Sequence, residues 1–210
     1  LKKLITGIIM KRLDEDKPDD VLGNVYILTE EEKESPTRDA KEFSTLLNAC
    51  GRMGKASLGI GVCLGDKKIR EKAIKILVDY KKEIVNAIRW YEEEKKEIIK
   101  GNGYLIVNAE DNIMPTIIGT LGSIISKSNG INEGTFVMTM ARLLDGSTKI
   151  SLRAKSKNID LRDILKDIIG EADGEYGGHM QAAGAIIPTE KENEFIEKAK
   201  LVLGKKAMEE

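Results

Sequence analysis

The one histidine among 210 residues, His179, stands in the stretch GGHMQAAGAIIP, residues 177–188. Gly177 and Gly178 precede it, and Ala182, Ala183 and Gly184 follow closely. Glycines before an imidazole allow the backbone to take φ > 0 and allow another molecule to come near the main chain. A helical turn starting at His179 would point free N–H groups outward and favour an anion. The imidazole would add a hydrogen-bond donor. The small residues after it leave space, and a phosphate or a carboxylate suits such a place. The alternative is a turn histidine beside tightly packed glycines. Spacing alone leaves both open.

Composition narrows the setting. Apolar residues make up 41% of the chain and charged residues 33%, enough for a core and a well-solvated surface of the cytosolic kind. The net charge is −1 and the pI about 6.1. That excludes a basic footprint spread over the whole molecule, so any anion site must be local. Cys50 and Cys63 lack the C-x-x-C spacing of a zinc or disulfide framework and read as two reduced core thiols, in keeping with a cytoplasmic protein. No apolar run has the length of a membrane span, and no signal peptide is visible. The chain opens LKKLITGIIMKRL, without an initiator Met and in mid-element, as an internal piece of a longer protein would.

The elements that must position His179 follow from periodicity. An apolar-basic helical segment opens the chain, then comes a polar stretch, DEDKPDD, and a short strand candidate, NVYILT. TEEEKESP, residues 29–36, reads as a linker or surface loop. Phe43, Leu46, Leu47 and Cys50 share one helical face, which Gly51 and Gly54 end. From Asp66 to Lys100 there is neither Gly nor Pro, and apolar residues recur at three- and four-residue steps. The spacing predicts one helix over 66–100, roughly 50 Å long, with an apolar seam interrupted at Lys95. Beyond Gly103, YLIVN is a strand, Pro115 opens a helix to about Ser126, and two alternating segments flank Asp145-Gly146 as a hairpin. Asp160 caps a helix to about Ile169, a glycine-rich loop follows, AGAIIP is a strand, and a last helix runs from Glu190 to Leu203. The order β-α-β-β-α-β-α predicts an α/β domain with a mixed sheet covered by helices.

GGHMQAAG resembles the GGHxxAAG signature of the DHHA1 domain, the substrate-binding domain of DHH-family phosphoesterases. SLRA, residues 151–154, resembles that family's SxR element. LLNACGRMGKASLGIGVCLGD, residues 46–66, resembles the NAxGR segment of RecJ-type single-strand exonucleases, which precedes a long helix leading to DHHA1. The charged stretch 29–41 resembles archaeal RecJ-like proteins more than bacterial ones. Together these motifs span about residues 44–188 and imply three parts. Residues 1–65 would be a remnant of the DHH side, 66–101 the connecting helix, and 102–206 a DHHA1-like domain.

The resemblance implies roles. His179, with Gly177 and Gly178, would contact a phosphodiester. Ser151 and Arg153 would bind a neighbouring phosphate, the arginine by a forked contact; by alternation alone Arg153 reads as an outward residue of an edge hairpin. Arg52 would reach phosphate from the junction, or be a solvated residue after a helix end. Asn48 would orient that turn or cap the helix. Lys155 and Lys157 would add positive potential. Tyr176 is read as packed against the sheet rather than stacked on a base.

The family's metal ligands, aspartates and a DHH triplet, lie in its N-terminal DHH domain, whereas this sequence has one histidine and no DHH triplet. Two-metal hydrolysis needs several ligands converging on ions about 3.5–4 Å apart. Manganese or magnesium is therefore expected in a DHH domain outside this chain, with no cofactor and no catalytic residue here, and this chain alone is expected to be inactive. Single-stranded DNA, the protein's own DHH domain and replication or repair proteins are the expected partners, with no membrane. Two other functions compete: a DHH phosphodiesterase of short oligonucleotides or cyclic dinucleotides, and a non-enzymatic adaptor in a replication or repair complex.

Overall fold

The computed structural model describes residues 2–12, 22–94, 98–155, 159–170 and 174–209. Lys95 and Lys157 lie outside them. The chain divides into two compact units between Leu77 and Val78, within one long helix.

In the first unit α1 (Lys2–Lys11) buries none of its residues. α2 (Ala40–Arg52) begins at Asp39, whose carboxylate accepts the N–H groups of Lys41 and Glu42 and so satisfies two donors of the first turn. It buries Leu46, Ala49 and Cys50, with Phe43 and Leu47 half-buried. α3 (Ala56–Cys63) approaches α2 closely: a Cβ on Gly59 would lie 3.5 Å from Cys50 Cβ. Cys50 is buried, which pushes its thiol up, but Cys63 is exposed, so only one of the two thiols belongs to the core.

Two expectations need correction here. NVYILT contributes only an isolated bridge between Ile27 and Asp39. The charged stretch after it is no free linker. The Glu31 carboxylate accepts from the Thr37 hydroxyl and from Arg70 at 2.8 Å, and the two ion-pair side chains are 9% and 17% exposed. A buried ion pair of this kind holds the loop against the next helix.

That helix, α4, spans Lys67–Glu93, about 40 Å at 1.5 Å per residue. Asp66 caps it by accepting the Ile69 N–H at 3.0 Å. It does not continue to Lys100: Ile99–Gly101 forms strand β1, antiparallel to β2 (Tyr104–Asn108). Asn102 and Gly103 make the two-residue turn between them, Gly103 with φ 71°. This Asn-Gly turn overrides the helical pattern.

The second unit is built on a six-stranded sheet in the order β1-β2-β3-β4-β6-β5, with β3 at Phe136–Arg142, β4 at Ser147–Ala154, β5 at Glu175–His179 and β6 at Ala182–Pro188. β2 and β3 are parallel and joined through α5 (Pro115–Ser126); the other pairs are antiparallel. The expected mixed α/β class is present, with β1 and β5 as two further strands. α6 (Leu161–Ile169) and α7 (Glu192–Lys206) cover one face, where Ile106, Phe136, Met138, Met140, Ile150, Leu152, Leu165 and Leu203 form the main core. α5 covers the other face over β3 and β4, burying Ile117, Ile118, Leu121 and Ile125. The Asp145-Gly146 turn closes β3 on β4, with Gly146 at φ 80°.

Candidate functional site

Antiparallel register decides which residues share a face, because directly opposed residues point the same way. Arg153 opposes Ala182, and Ala182 opposes His179. One row further, Ser151 opposes Gly184, which opposes Gly177; in the third row, Lys149 opposes Ile186, which opposes Glu175. All nine positions lie on the α5 face. α5 roofs only β3 and β4, so Ala182, Gly184 and Gly177 form a bare shelf beside it, and β5 is exposed along its whole length. The structure thus gathers Ser151, Arg153, Gly177, Gly178 and His179 on neighbouring strands. Arg52 ends α2 in the first unit.

The histidine does not start a helix. It ends β5, and Met180-Gln181 form the turn into β6. The free N–H groups expected of a helix start are therefore not its surroundings. Strand β5 escaped the sequence reading because Tyr-Gly-Gly-His has little strand propensity. Gly178 has φ 136°, and a Cβ there would lie 2.4 Å from the Ala182 carbonyl oxygen, so this glycine serves the chain's own close approach. At Gly177 a Cβ would meet nothing within 4 Å. The open glycine is thus the one that belongs to the shelf.

Arg153 lies on a central strand, between β3 and β6, rather than on an edge hairpin. It is half-buried and its donors are engaged. Nε donates to Ser123 Oγ at 3.0 Å and Nη2 to the Gly119 carbonyl at 3.4 Å, while Nη1 donates to the carbonyls of Leu152 and Ala183 at 2.8 and 3.3 Å. The forked phosphate contact expected of it would have to displace these bonds. These four partners are neutral oxygens, which hold the guanidinium in place. Ser151 is 5% exposed, and a Cβ on Gly119 would lie 3.0 Å from its Oγ and 3.2 Å from Arg153 Nη2. Gly119 and Ser123 of α5 therefore make the room and the seat for Arg153, while Gly122 admits Thr139, whose Oγ1 would lie 2.9 Å from a Cβ there. The Gly-x-x-Gly-Ser spacing within an apolar helix was the available signal for them.

A groove of about 450 Å³ runs past this seat, lined by Ser123, Lys127, Glu133, Arg153, Lys155 and Gln181, among others. Lys155 Nζ donates to the Ile131 carbonyl at 2.9 Å. A second hollow of about 320 Å³ includes Lys149, Glu175, Tyr176, Gly177, Gly184 and Ile186. Tyr176 is 45% exposed, not packed away against the sheet. Asn48 is exposed within α2, where it caps nothing. Among the described residues no three His, Cys, Asp or Glu side chains stand together as a metal site, and no helix is long and apolar enough to cross a membrane.

A family model described as the DHHA1 domain matches residues 101–205, from the end of β1 into α7. An uncharacterised protein of Methanocaldococcus jannaschii is 28% identical over 207 residues, covering 97% of this chain and 42% of that protein. RecJ of Thermus thermophilus in complex with Mn²⁺ has the same fold with a TM-score of 0.64 at 16% identity, over 79% of this chain and 24% of that one. An exonuclease RecJ bound to manganese gives 0.63 at 16% identity, over 81% and 42%. The chain thus spans less than half the length of each of these proteins.

Proposed function

The chain belongs to the DHHA1 domain family, and from that premise we propose that its shelf binds the phosphodiester backbone of single-stranded nucleic acid and presents it to a DHH-type catalytic domain. One observation carries the reading: a strip of bare sheet, Ala182, Gly184 and Gly177, flanked by Arg153 on one side and His179 on the other. An extended backbone needs such a flat floor, and the arginine at its wall supplies the attraction that the net charge of −1 denies the molecule as a whole, with the imidazole as a hydrogen-bond donor. Arg52, at the end of α2, would be a phosphate contact of its own. The sequence has no DHH triplet; manganese or magnesium would be held by that partner domain, and the hydrolysis belongs there. DNA is the proposed polymer, in a replication or repair setting in the cytoplasm.

The exposed edge strand leaves the shelf open at one side, which favours a polymer over an enclosed cyclic dinucleotide. The test is a titration of the whole chain with labelled single strands of increasing length and with a cyclic dinucleotide. Affinity that rises with strand length supports the reading. Tightest binding to the cyclic dinucleotide would replace it with the small-ligand phosphodiesterase, and binding to neither would leave the adaptor.

A further inference from the structure

Resting on that reading, we infer that Ser123 of α5 is a positioning residue, which fixes the Arg153 guanidinium so that it acts on nucleic acid as an immobile charge rather than as a forked ligand.

Three hydrogen bonds form a closed ring. Arg153 Nε donates to Ser123 Oγ at 3.0 Å; Ser123 Oγ donates to the Gly119 carbonyl at 2.9 Å; Arg153 Nη2 donates to the same carbonyl at 3.4 Å. Arginine has no acceptor, so the proton directions are forced. The hydroxyl must turn its single hydrogen to Gly119 and its lone pair to Arg153. The Nε/Nη2 edge, one of the edges by which arginine grips a phosphate, is thereby spent on the helix. Nη1 is spent on two strand carbonyls, of Leu152 and Ala183.

One guanidinium thus bridges α5, β4 and β6, and the side chain reaches its seat because Gly119 carries no side chain: a Cβ there would lie 3.2 Å from Arg153 Nη2. Gly122 lets α5 approach β3, since its Cβ would lie 2.9 Å from Thr139 Oγ1. Held this way, Arg153 loses no rotamer freedom when a ligand arrives, which removes an entropic cost of binding.

The experiment compares Ser123→Ala and Ser123→Thr with the unaltered chain. Affinity for a labelled single strand is read across a salt series, together with Tm and the solvent-exchange rate of the Arg153 Nε–H by NMR. Ser123→Ala should bind about three- to tenfold more weakly with the same log–log salt slope, because the number of charges is unchanged. Its Nε–H exchange should accelerate, and Ser123→Thr, which keeps the hydroxyl, should restore both. Wild-type affinity and exchange in Ser123→Ala, while Arg153→Ala binds weakly, would overturn this inference and leave the phosphate-binding reading standing. Weakened affinity that tracks a fall in Tm, with Nε–H exchange unmoved, would overturn it as well. Failure of the unaltered chain to bind any strand would overturn the reading beneath it.

Discussion

Arg153 and His179 stand on opposite sides of Ala182 in a single row across β4, β6 and β5. Strands lie about 4.8 Å apart, so their Cα atoms are separated by roughly 10 Å over a residue no larger than a methyl group. One side of this row is a half-buried cation fastened to α5, and the other is an exposed imidazole on an edge strand. The first prediction uses that asymmetry. Arg153→Ala should weaken single-strand binding and flatten the log–log salt slope by about 0.7, the value of one phosphate contact on a single strand. Arg153→Lys should keep most of the slope but bind less tightly. His179→Ala should weaken binding as well. Both alanine variants binding like the unaltered chain at low salt would make the two motifs structural.

The paired glycines separate folding from binding. Gly178→Ala places a Cβ 2.4 Å from the Ala182 carbonyl oxygen at φ 136°. It should destabilise the β5–β6 hairpin by about 1–3 kcal/mol, seen as a lower Tm and faster amide exchange in β5. Gly177→Ala meets nothing within 4 Å and should leave Tm unchanged or slightly raised. It should nonetheless weaken strand binding, since its methyl enters the shelf. Equal losses of Tm in both variants would contradict the geometry.

That contrast also marks where sequence reasoning ran out. Amphipathic spacing found α2 and α6, proline found α5, and Asp-Gly found the β3–β4 hairpin, because each signal is local. The β5–β6 hairpin is as local as these, closed by Met180-Gln181, but it carries no such signal: two adjacent glycines give no strand pattern, and the close approach of the Ala182 carbonyl, 2.4 Å from a Cβ on Gly178, shows only in the folded chain. Arg153 was legible as a residue but not as a bridge, since its partners lie on α5 thirty or more positions earlier and on β6 thirty positions later, besides its own neighbour Leu152. The end of α4 was misread for the opposite reason. Helical periodicity through Ile98 looked continuous, while Asn102-Gly103 carried the overriding turn signal.

At the far end of the sheet, Glu192 is 5% exposed and accepts from Arg142 Nε at 3.0 Å and Nη2 at 2.9 Å, from Asn108 Nδ2 at 3.3 Å and from Thr148. Burial pushes its carboxyl up, but the hydrogen bonds from Arg142, Thr148 and Asn108 outweigh this and hold it below its ordinary value. Arg142→Ala leaves that carboxylate buried without its cation. The cost should be about 3 kcal/mol in denaturant unfolding, with the slope m unchanged. A loss under ~1 kcal/mol would show that water reaches the pair.

The same network and the cap of α6 set the acid limb of stability. Asp160 accepts from the Arg162 side chain and its N–H, and these hold its carboxyl down at about 2. A carboxyl lowered on folding contributes stability that is complete above its unfolded value, ~3.9 for Asp, and that is lost as pH falls through the folded value. Glu192, lowered in the same direction, adds to it. Thermal stability should therefore be flat above about pH 5 and fall progressively between about pH 4 and 2. Asp160→Asn keeps a capping oxygen but no charge, and should flatten part of that fall. An unaltered acid limb in this variant would assign the fall to other carboxylates.

The row itself can be tested without altering Arg153 or His179. Ala182 is half-buried, lines the groove beside Arg153 and sits directly between Arg153 and His179. Its side chain stands on the α5 face but beyond α5, where an antiparallel strand position tolerates larger residues at a cost below about 1 kcal/mol. Ala182→Leu should therefore fold with a Tm near that of the unaltered chain. It should also raise the floor by about the height of a side chain, preventing a backbone from touching Arg153 and His179 together. Binding of a labelled single strand at low salt should fall about tenfold, with Ile186→Leu as a control that leaves the first row untouched. Ala182→Glu should do more at low salt and less at high salt, because a carboxylate in that row repels phosphate over a distance that ions screen. Retention of full affinity in Ala182→Leu would show that no strand crosses the row between Arg153 and His179.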